Sequence, residues 1–483
     1  MSKIKPANLL FLFSDQHSKH ILGSYGNPYV KTPNLDLLAK EGACFRNAYC
    51  NSPICAPSRA AMATGNYASR GGFWDNAHAY GGEQASWATR LHEQGFPVTA
   101  IGKMHFKDAG PASGFHDQRI PLHIKDGVGD IYGAIRDKEI TRLQFRAALE
   151  EACEGESDYI RYDRAIARTA SDYLRNECAS HTKPFVLFVG FVTPHFPLTA
   201  PQEYFDLYAG ENSIRAPVCF DKASWPRHPV IDDYRRYCGT TDIDKKTARN
   251  AIRAYYALCS FLDAQIGIVL DALKETGLDS NTRVIYSSDH GDTMGEHGLY
   301  FKSTMYEGSV GIPLIIKGPD IPEGITVDSN ASLVDIFPSV LECVGAQPDL
   351  PDLSLPGESL WGLAKAGEYR DRAVFSEYYS QGVYTAMYML RKGDYKYVHY
   401  VNERPQLFNL ANDPNEQRDL AEIPENALLC EDLEAELRKV VNPDYLEKTS
   451  KEAQRMLLER HGGKREFLRN FKPSLYSPIP KLK

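Results

Sequence analysis

Several features are scarce or missing in this chain of 483 residues. No basic leader followed by an apolar run opens it: Met1-Ser2-Lys3-Ile4-Lys5-Pro6 passes straight into a short apolar stretch that reads as a strand. No uninterrupted apolar segment reaches the length of a membrane span. Positive charge is not in excess. The formal net charge is −8, which argues against a general binder of nucleic acid or of a membrane surface. Any anionic substrate must therefore meet a local cluster of cations. Without a leader, the ten cysteines read as reduced thiols and not as a disulfide framework, so a cytoplasmic protein is expected. No internal repeat is found.

What is present is a hydrophobic fraction of 43%, enough at this length for one large domain and a smaller one. Asn8 to Ser14 is a continuous apolar run ending in Asp15-Gln16-His17, the pattern of a strand buried on both faces. Val98 to Ile101 and Phe185 to Val192 read the same way and deliver Gly102-Lys103-Met104-His105 and Thr193-Pro194-His195. Thr282 to Ser287 delivers Ser288-Asp289-His290-Gly291-Asp292. Between these runs lie helical patterns: one starting at Thr32-Pro33-Asn34 and stopped by Gly42, Trp87 to Gln94, Tyr159 to Ala179, and a long one from about Thr247 to Thr276. Strand, polar residues, helix, repeated, predicts a doubly wound α/β domain over residues 1–365. Short alternating runs at Ala373–Tyr379, Tyr384–Arg391 and Tyr395–Tyr400 predict a small antiparallel subdomain over 366–441. Residues 442–483 are charged and then Pro-rich; they read as an arm on this or a neighbouring subunit, or as a disordered tail.

Open α/β sheets bind ligands at the C-terminal ends of their strands. Four strand ends here supply Asp15 and Gln16, Lys103 and His105, His195, and Asp289 and His290. Two aspartates, an amide oxygen and an imidazole make a divalent metal site, with the oxygens suiting Ca2+ and the imidazole moving preference toward Mn2+. Any one of them alone would read as a turn or cap residue. Cys55-Ala56-Pro57-Ser58-Arg59 alters that reading. Pro57 suits the first turn of a helix, and Ser52-Pro53 keep the preceding segment out of it. Residue 55 thus sits at a helix N-terminus, where free N–H groups favour an anion. Arg59 lies one turn on, on the same face. A buried free cysteine is ordinarily a packing residue. A cysteine-dependent phosphatase loop needs five residues between Cys and Arg, and here there are three.

Cys55-x-Pro57-Ser58-Arg59 followed by Ala60-Ala61-Met62-Ala63-Thr64-Gly65 resembles the site at which type I sulfatases convert cysteine to formylglycine. Ser14-Asp15-Gln16, Thr32-Pro33-Asn34-Leu35-Asp36, Gly102-Lys103-Met104-His105, Thr193-Pro194-His195 and the run from Ser288 through Glu296-His297-Gly298 to Lys302 are similar to the same family. So is Gln406-Leu407-Phe408-Asn409-Leu410 with Asp413-Pro414. The resemblance covers about residues 8–420 and implies a formylglycine-dependent sulfatase of the alkaline phosphatase superfamily, with an alkaline-phosphatase-like fold. Gln16 and His290 stand where many sulfatases carry Asp and Asn. That pairing, with Asp75-Asn76-Ala77, resembles choline sulfatases and phosphonate monoester hydrolases.

The resemblance further implies residue roles. Cys55 would become formylglycine and, as its hydrate, attack sulfur; the second hydroxyl would then expel sulfate by elimination, so that covalent catalysis splits the reaction into two steps. Asp15, Gln16, residue 55, Asp289 and His290 would hold one Ca2+ or Mn2+. Arg59 would hold the nucleophile and the carboxylates, and Lys103 and Lys302 would neutralise the sulfate and leaving oxygens. His105 would act as base on the second hydroxyl and His195 as donor to the leaving group. Asn76 and His297 are candidate substrate contacts; Asn76 also reads as a turn residue beside Gly71-Gly72. The expected substrate is an aryl or small alkyl sulfate ester, the expected partners a formylglycine-generating enzyme and further copies of the chain, with neither nucleic acid nor membrane. Two alternatives stand beside it: a phosphonate monoester or phosphodiester hydrolase with the same site, and a metal- or anion-binding protein whose Cys55 stays unmodified.

Overall fold

The computed structural model describes residues 4–218, 220–366, 369–470 and 476–482. Eight strands form the large sheet: β1 (Asn8–Asp15), β2 (Ala43–Phe45), β3 (Val98–Lys103), β4 (Asp117–Leu122), β5 (Val186–Pro194), β6 (Thr282–Ser288), β7 (Leu314–Lys317) and β8 (Ile325–Val327). Their order is β8-β2-β7-β6-β1-β5-β3-β4. The run β6-β1-β5-β3-β4 is parallel throughout. β7 is antiparallel to both β6 and β2, so the sheet is mixed on that side. Every residue of β1, β5 and β6 is buried, which explains their uninterrupted apolar runs. Leu9, Phe11 and Phe13 pack into a core on one face of the sheet, and Leu10 and Leu12 into a core on the other.

The main helices are α1 (Pro33–Lys40), α2 (Cys55–Thr64), α3 (Trp87–Glu93), α4 (Asp158–Asn176), α5 (Lys245–Glu275) and α6 (Ile336–Val344). Side chains of Ser157 and Asp244 accept the first free N–H groups of α4 and α5, the capping that Ser and Asp favour. By length and composition α5 could cross a membrane, contrary to the reading that no segment qualifies; 78% of its apolar window is buried inside the protein, as in a core helix.

The second sheet is antiparallel, β9 (Val374–Tyr378), β10 (Met387–Lys392), β11 (Tyr395–Tyr400) and β12 (Gln406–Asn409), one strand more than the alternation predicts. One face, with Met387, Met389, Val398 and Phe408, joins the main core. The other, with Tyr388, Leu390, Tyr397 and Leu407, packs on Leu433 and Leu437 of α7 (Ala427–Val440). The expected arm 442–483 contains α8 (Pro443–Arg460) and α9 (Lys464–Asn470). Gly367 and Glu368, at the expected domain boundary, and residues 471–475 of that arm lie outside the described residues. The nine described cysteines are free thiols.

Candidate active site

Helix α2 begins at Cys55 and ends at Gly65, whose φ of 66° closes it in the left-handed conformation. All ten of its residues are buried. Its N-terminus points at the ends of β1 and β6, and the side chain of Ser58 donates to the carbonyl of Asp289 at 2.5 Å. Gly102 and Gly190 let β3 and β5 approach closely at this edge: a Cβ on Gly190 would lie 2.2 Å from the carbonyl oxygen of Lys103. Beyond the strand ends Gln16 and His105 hold φ of 68° and 58°, a left-handed backbone that non-glycine residues adopt at a cost.

Donor atoms of Asp15, Cys55, Asp289 and His290 all lie within 4.8 Å of one another, in a fully buried group. Arg59 joins the two carboxylates, its Nε donating to Asp289 Oδ2 at 2.8 Å and Nη2 to Asp15 Oδ2 at 3.2 Å, while Nη1 donates to the Lys103 carbonyl at 2.9 Å. Lys103 Nζ is 2.6 Å from Asp15 Oδ2. Lys302 Nζ donates to Gln16 Oε1 at 2.7 Å and to Cys55 Sγ at 3.3 Å. Gln16 therefore stands beside the cluster, its oxygen available to a cation only if shared with Lys302. His195 Nε2 lies 4.0 Å from Asp15 Oδ1.

Proton positions follow from the acceptors. His290 Nδ1 lies 3.1 Å from the Gly291 carbonyl and His195 Nδ1 2.7 Å from that of Phe196. A carbonyl only accepts, so both Nδ1 atoms donate, and a neutral ring presents its Nε2 lone pair to the site. Burial holds both rings well below the usual histidine range, helped by Lys302. Burial alone would raise Asp15, yet Lys103, His195, Arg59 and Lys302 together hold it well below the usual carboxylate range. Asp289 is pushed up to about 6 by burial and then by the Asp15 charge. Burial and Asp15 also push the Cys55 thiol up to about 11, the opposite of what a thiolate nucleophile requires. Two buried carboxylates, one of them reluctant to ionise beside the other, and a fixed imidazole lone pair fit a divalent cation. The Nδ1–H bond of His290 is the kind of outer contact that orients a histidine ligand.

Cys55, alone of the cluster, opens onto a cavity of about 610 Å3 whose walls include Asn76, Lys103, His105, His195 and Lys302. Asn76 is there, but its Oδ1 accepts the Ala56 N–H at 2.9 Å, so it caps the N-terminus of α2. His297 is not there. It has a φ of 56° and turns its ring onto Tyr306, 4.7 Å between centroids, beside a separate small cavity. Three contributors escape the sequence reading. Asp292 Oδ2 accepts from Gln16 Nε2 at 2.7 Å and fixes that amide; it lay within the quoted run after Ser288, which was the available signal. Tyr159 and Ser477 also line the cavity, with no local motif to announce them.

A buried carboxylate–imidazole cluster at the strand ends of a mixed α/β sheet, set against a helix N-terminus with lysines around it, suits a divalent cation and an anionic substrate. The fold is shared with the phosphonate monoester hydrolase of Agrobacterium radiobacter (TM-score 0.72, 23% identity, 90% of this chain and 95% of that one). The chain matches the sulfatase family over residues 7–346 and the C-terminal region of N-sulphoglucosamine sulphohydrolase over 295–443, and it belongs to the sulfatase family. It is 31% identical over 458 residues to Arylsulfatase K of Canis lupus familiaris, covering 90% of this chain and 82% of that protein. It is 30% identical over 440 residues to the choline-sulfatase of Rhizobium meliloti (strain 1021), covering 88% and 84%. Sulfate ester hydrolysis is thus the activity of this chain.

Proposed function

We propose that the chain hydrolyses aryl or small alkyl sulfate monoesters, with residue 55 as formylglycine and one divalent cation, Ca2+ or Mn2+, held by Asp15, Gln16, residue 55, Asp289 and His290. The observation that carries this reading is the meeting of Cys55 with Asp15, Asp289 and His290, with Cys55 opening onto a cavity lined also by Lys103 and Lys302. The metal would supply Lewis acidity toward sulfate oxygens, and formylglycine an oxygen nucleophile at position 55. Everything else is done by the chain. Arg59 holds both carboxylates in one orientation from a fully buried position. Lys103 and Lys302 offer ammonium groups, preorganised by Asp15 and Gln16, to the negative charge of the ester. His195, whose Nδ1–H is held by the Phe196 carbonyl, can exchange a proton with the ester only at Nε2; an anionic ester set against it favours the imidazolium, which then donates to the leaving oxygen. His105 lines the same cavity and is kept neutral by burial, then by Lys103, in keeping with a base.

Cys55 is 1% exposed, so an enzyme converting it would have to act before the chain has folded. The substrate class is tested by comparing kcat/KM for an aryl sulfate, a small alkyl sulfate and a phosphonate monoester with the same alcohol. Faster turnover of the sulfate esters is expected. Preference for the phosphonate would overturn the assignment, and absence of turnover on all three would favour a binding protein with unmodified Cys55.

A further inference from the structure

The far C-terminal segment enters the same cavity. Tyr476 and Ser477 stand in its wall with Cys55, more than four hundred positions away in the chain. His105 is 6% exposed, and its Nε2 lies 3.2 Å from Ser477 Oγ. Its Nδ1 is buried with no hydrogen-bond partner among the described residues. An imidazole held through one nitrogen takes its orientation from that partner. The Ser477 carbonyl accepts from the Tyr159 hydroxyl at 3.1 Å, and the Tyr476 ring meets Tyr159 edge-on at 5.6 Å. On its other side Tyr159 lies 6.1 Å from the ring of His195. Tyr159 is itself buried near the start of α4, so it is keyed between the segment and the second cavity histidine.

Two features anchor the segment. Ile479 packs against the core cluster that includes Ile101, Leu122 and Tyr159. Pro478 and Pro480 flank it, and fixed φ angles reduce the conformational entropy lost when a chain end is pinned. A tail that merely covered surface would not place a hydroxyl on a buried histidine.

We infer that residues 476–482 are part of the active site: Ser477 positions His105 for the reaction, and Tyr476 limits the size of ester the cavity accepts. This rests on the cavity being the ester site, as proposed above. It makes Ser477 a positioning residue, since it acts through His105, and Tyr476 a specificity determinant.

The test uses the full-length enzyme with Ser477→Ala, Ser477→Thr and Tyr476→Ala, assayed on a small and a bulky ester. Sulfate and phosphonate series run in parallel, so that ratios to wild type are read on whichever ester the wild type hydrolyses. Loss of sulfate turnover by the wild type itself would defeat the substrate assignment and leave these ratios readable. Ser477→Ala is expected to lower kcat roughly tenfold with little change in KM, a size suited to loss of an orienting partner. Ser477→Thr, which keeps the hydroxyl, should restore most of it. Tyr476→Ala should raise the bulky-to-small ratio of kcat/KM by about fivefold or more through KM. Melting temperatures of all three should match wild type. A Ser477→Ala enzyme with wild-type kcat, a Thr variant as impaired as the Ala variant, or an unchanged size ratio in Tyr476→Ala would each overturn the inference.

Discussion

Lys302 is the residue whose replacement separates the roles available to a cation in this site. It is only 5% exposed, and its Nζ is held between Gln16 Oε1 and Cys55 Sγ, so it is no solvated surface lysine. Its Nζ also lies 5.5 Å from the centre of the Phe196 ring. Lys302→Met keeps the apolar stem and removes the charge. Losing one preorganised donor at a reacting centre costs roughly 10²–10³ in kcat, about 2.7–4 kcal/mol. How that loss is distributed depends on where the charge develops. An alkoxide leaves with far more charge than a nitrophenolate. If Lys302 neutralises the leaving oxygen, alkyl sulfates should lose close to the full amount and nitrophenyl sulfate about tenfold or less, near 1.4 kcal/mol. The assay is a leaving-group series at saturating ester, with kcat plotted against the pKa of the alcohol for wild type and variant. A steeper slope in the variant is expected. Parallel lines would place Lys302 on a non-bridging sulfate oxygen and refute the leaving-group role. The fold should survive, since the hydrogen-bond partners left behind, the Gln16 amide oxygen and residue 55, are uncharged, an unsatisfied group of that kind costing about 1–3 kcal/mol.

Two further predictions follow from the same geometry. Asp289→Asn removes one of two carboxylates from the cluster, so the variant should retain clearly less divalent metal after dialysis than wild type, read by elemental analysis; full occupancy would place the metal elsewhere. His78 lies 2.9 Å from Asp75, whose other oxygen accepts from Gln454 of α8, so the pair pins the Asn76 loop to that helix. Burial opposes the charge on each, but Asp75 raises His78 above its ordinary 6.5 and His78 holds Asp75 below its ordinary 3.8. Stability from the histidine is complete below 6.5 and lost as pH rises through its raised value; that from the aspartate is present above 3.8 and lost as pH falls through its lowered one. His78→Ala should therefore cost more at pH 6 than at pH 9, by about 1–2 kcal/mol in urea unfolding, and equal costs would show that the ion pair contributes nothing.

The strand ends were legible because the physics behind them is local. Eight consecutive buried residues in β1 need an apolar run, and the polar Asp15 that ends it stands out. The helix at Cys55 announces itself through Pro57 and Gly65 in the same way. Sheet direction is not local: β7 runs antiparallel because of the path of the chain after Lys302, and three-residue strands such as β2 and β8 are too short for a period. His297 sits close in sequence to Asp289 and His290, yet the turn from Gly295 to Gly298 swings its ring onto Tyr306. Nearness in sequence gave no guide to side-chain direction there. Ser477 illustrates the converse, since a hydroxyl in a Pro-rich tail carries no mark of the histidine it will meet.

Under the proposed function, turnover belongs to chains in which residue 55 is no longer cysteine. Peptide mass spectrometry distinguishes the aldehyde from the thiol, so preparations with different extents of conversion can be compared for sulfate ester hydrolysis per chain. Turnover should rise in proportion to the formylglycine fraction and extrapolate to zero in its absence, with Cys55→Ala inactive but folded. Undiminished turnover from chains that retain an unmodified Cys55 would rule out formylglycine as the nucleophile.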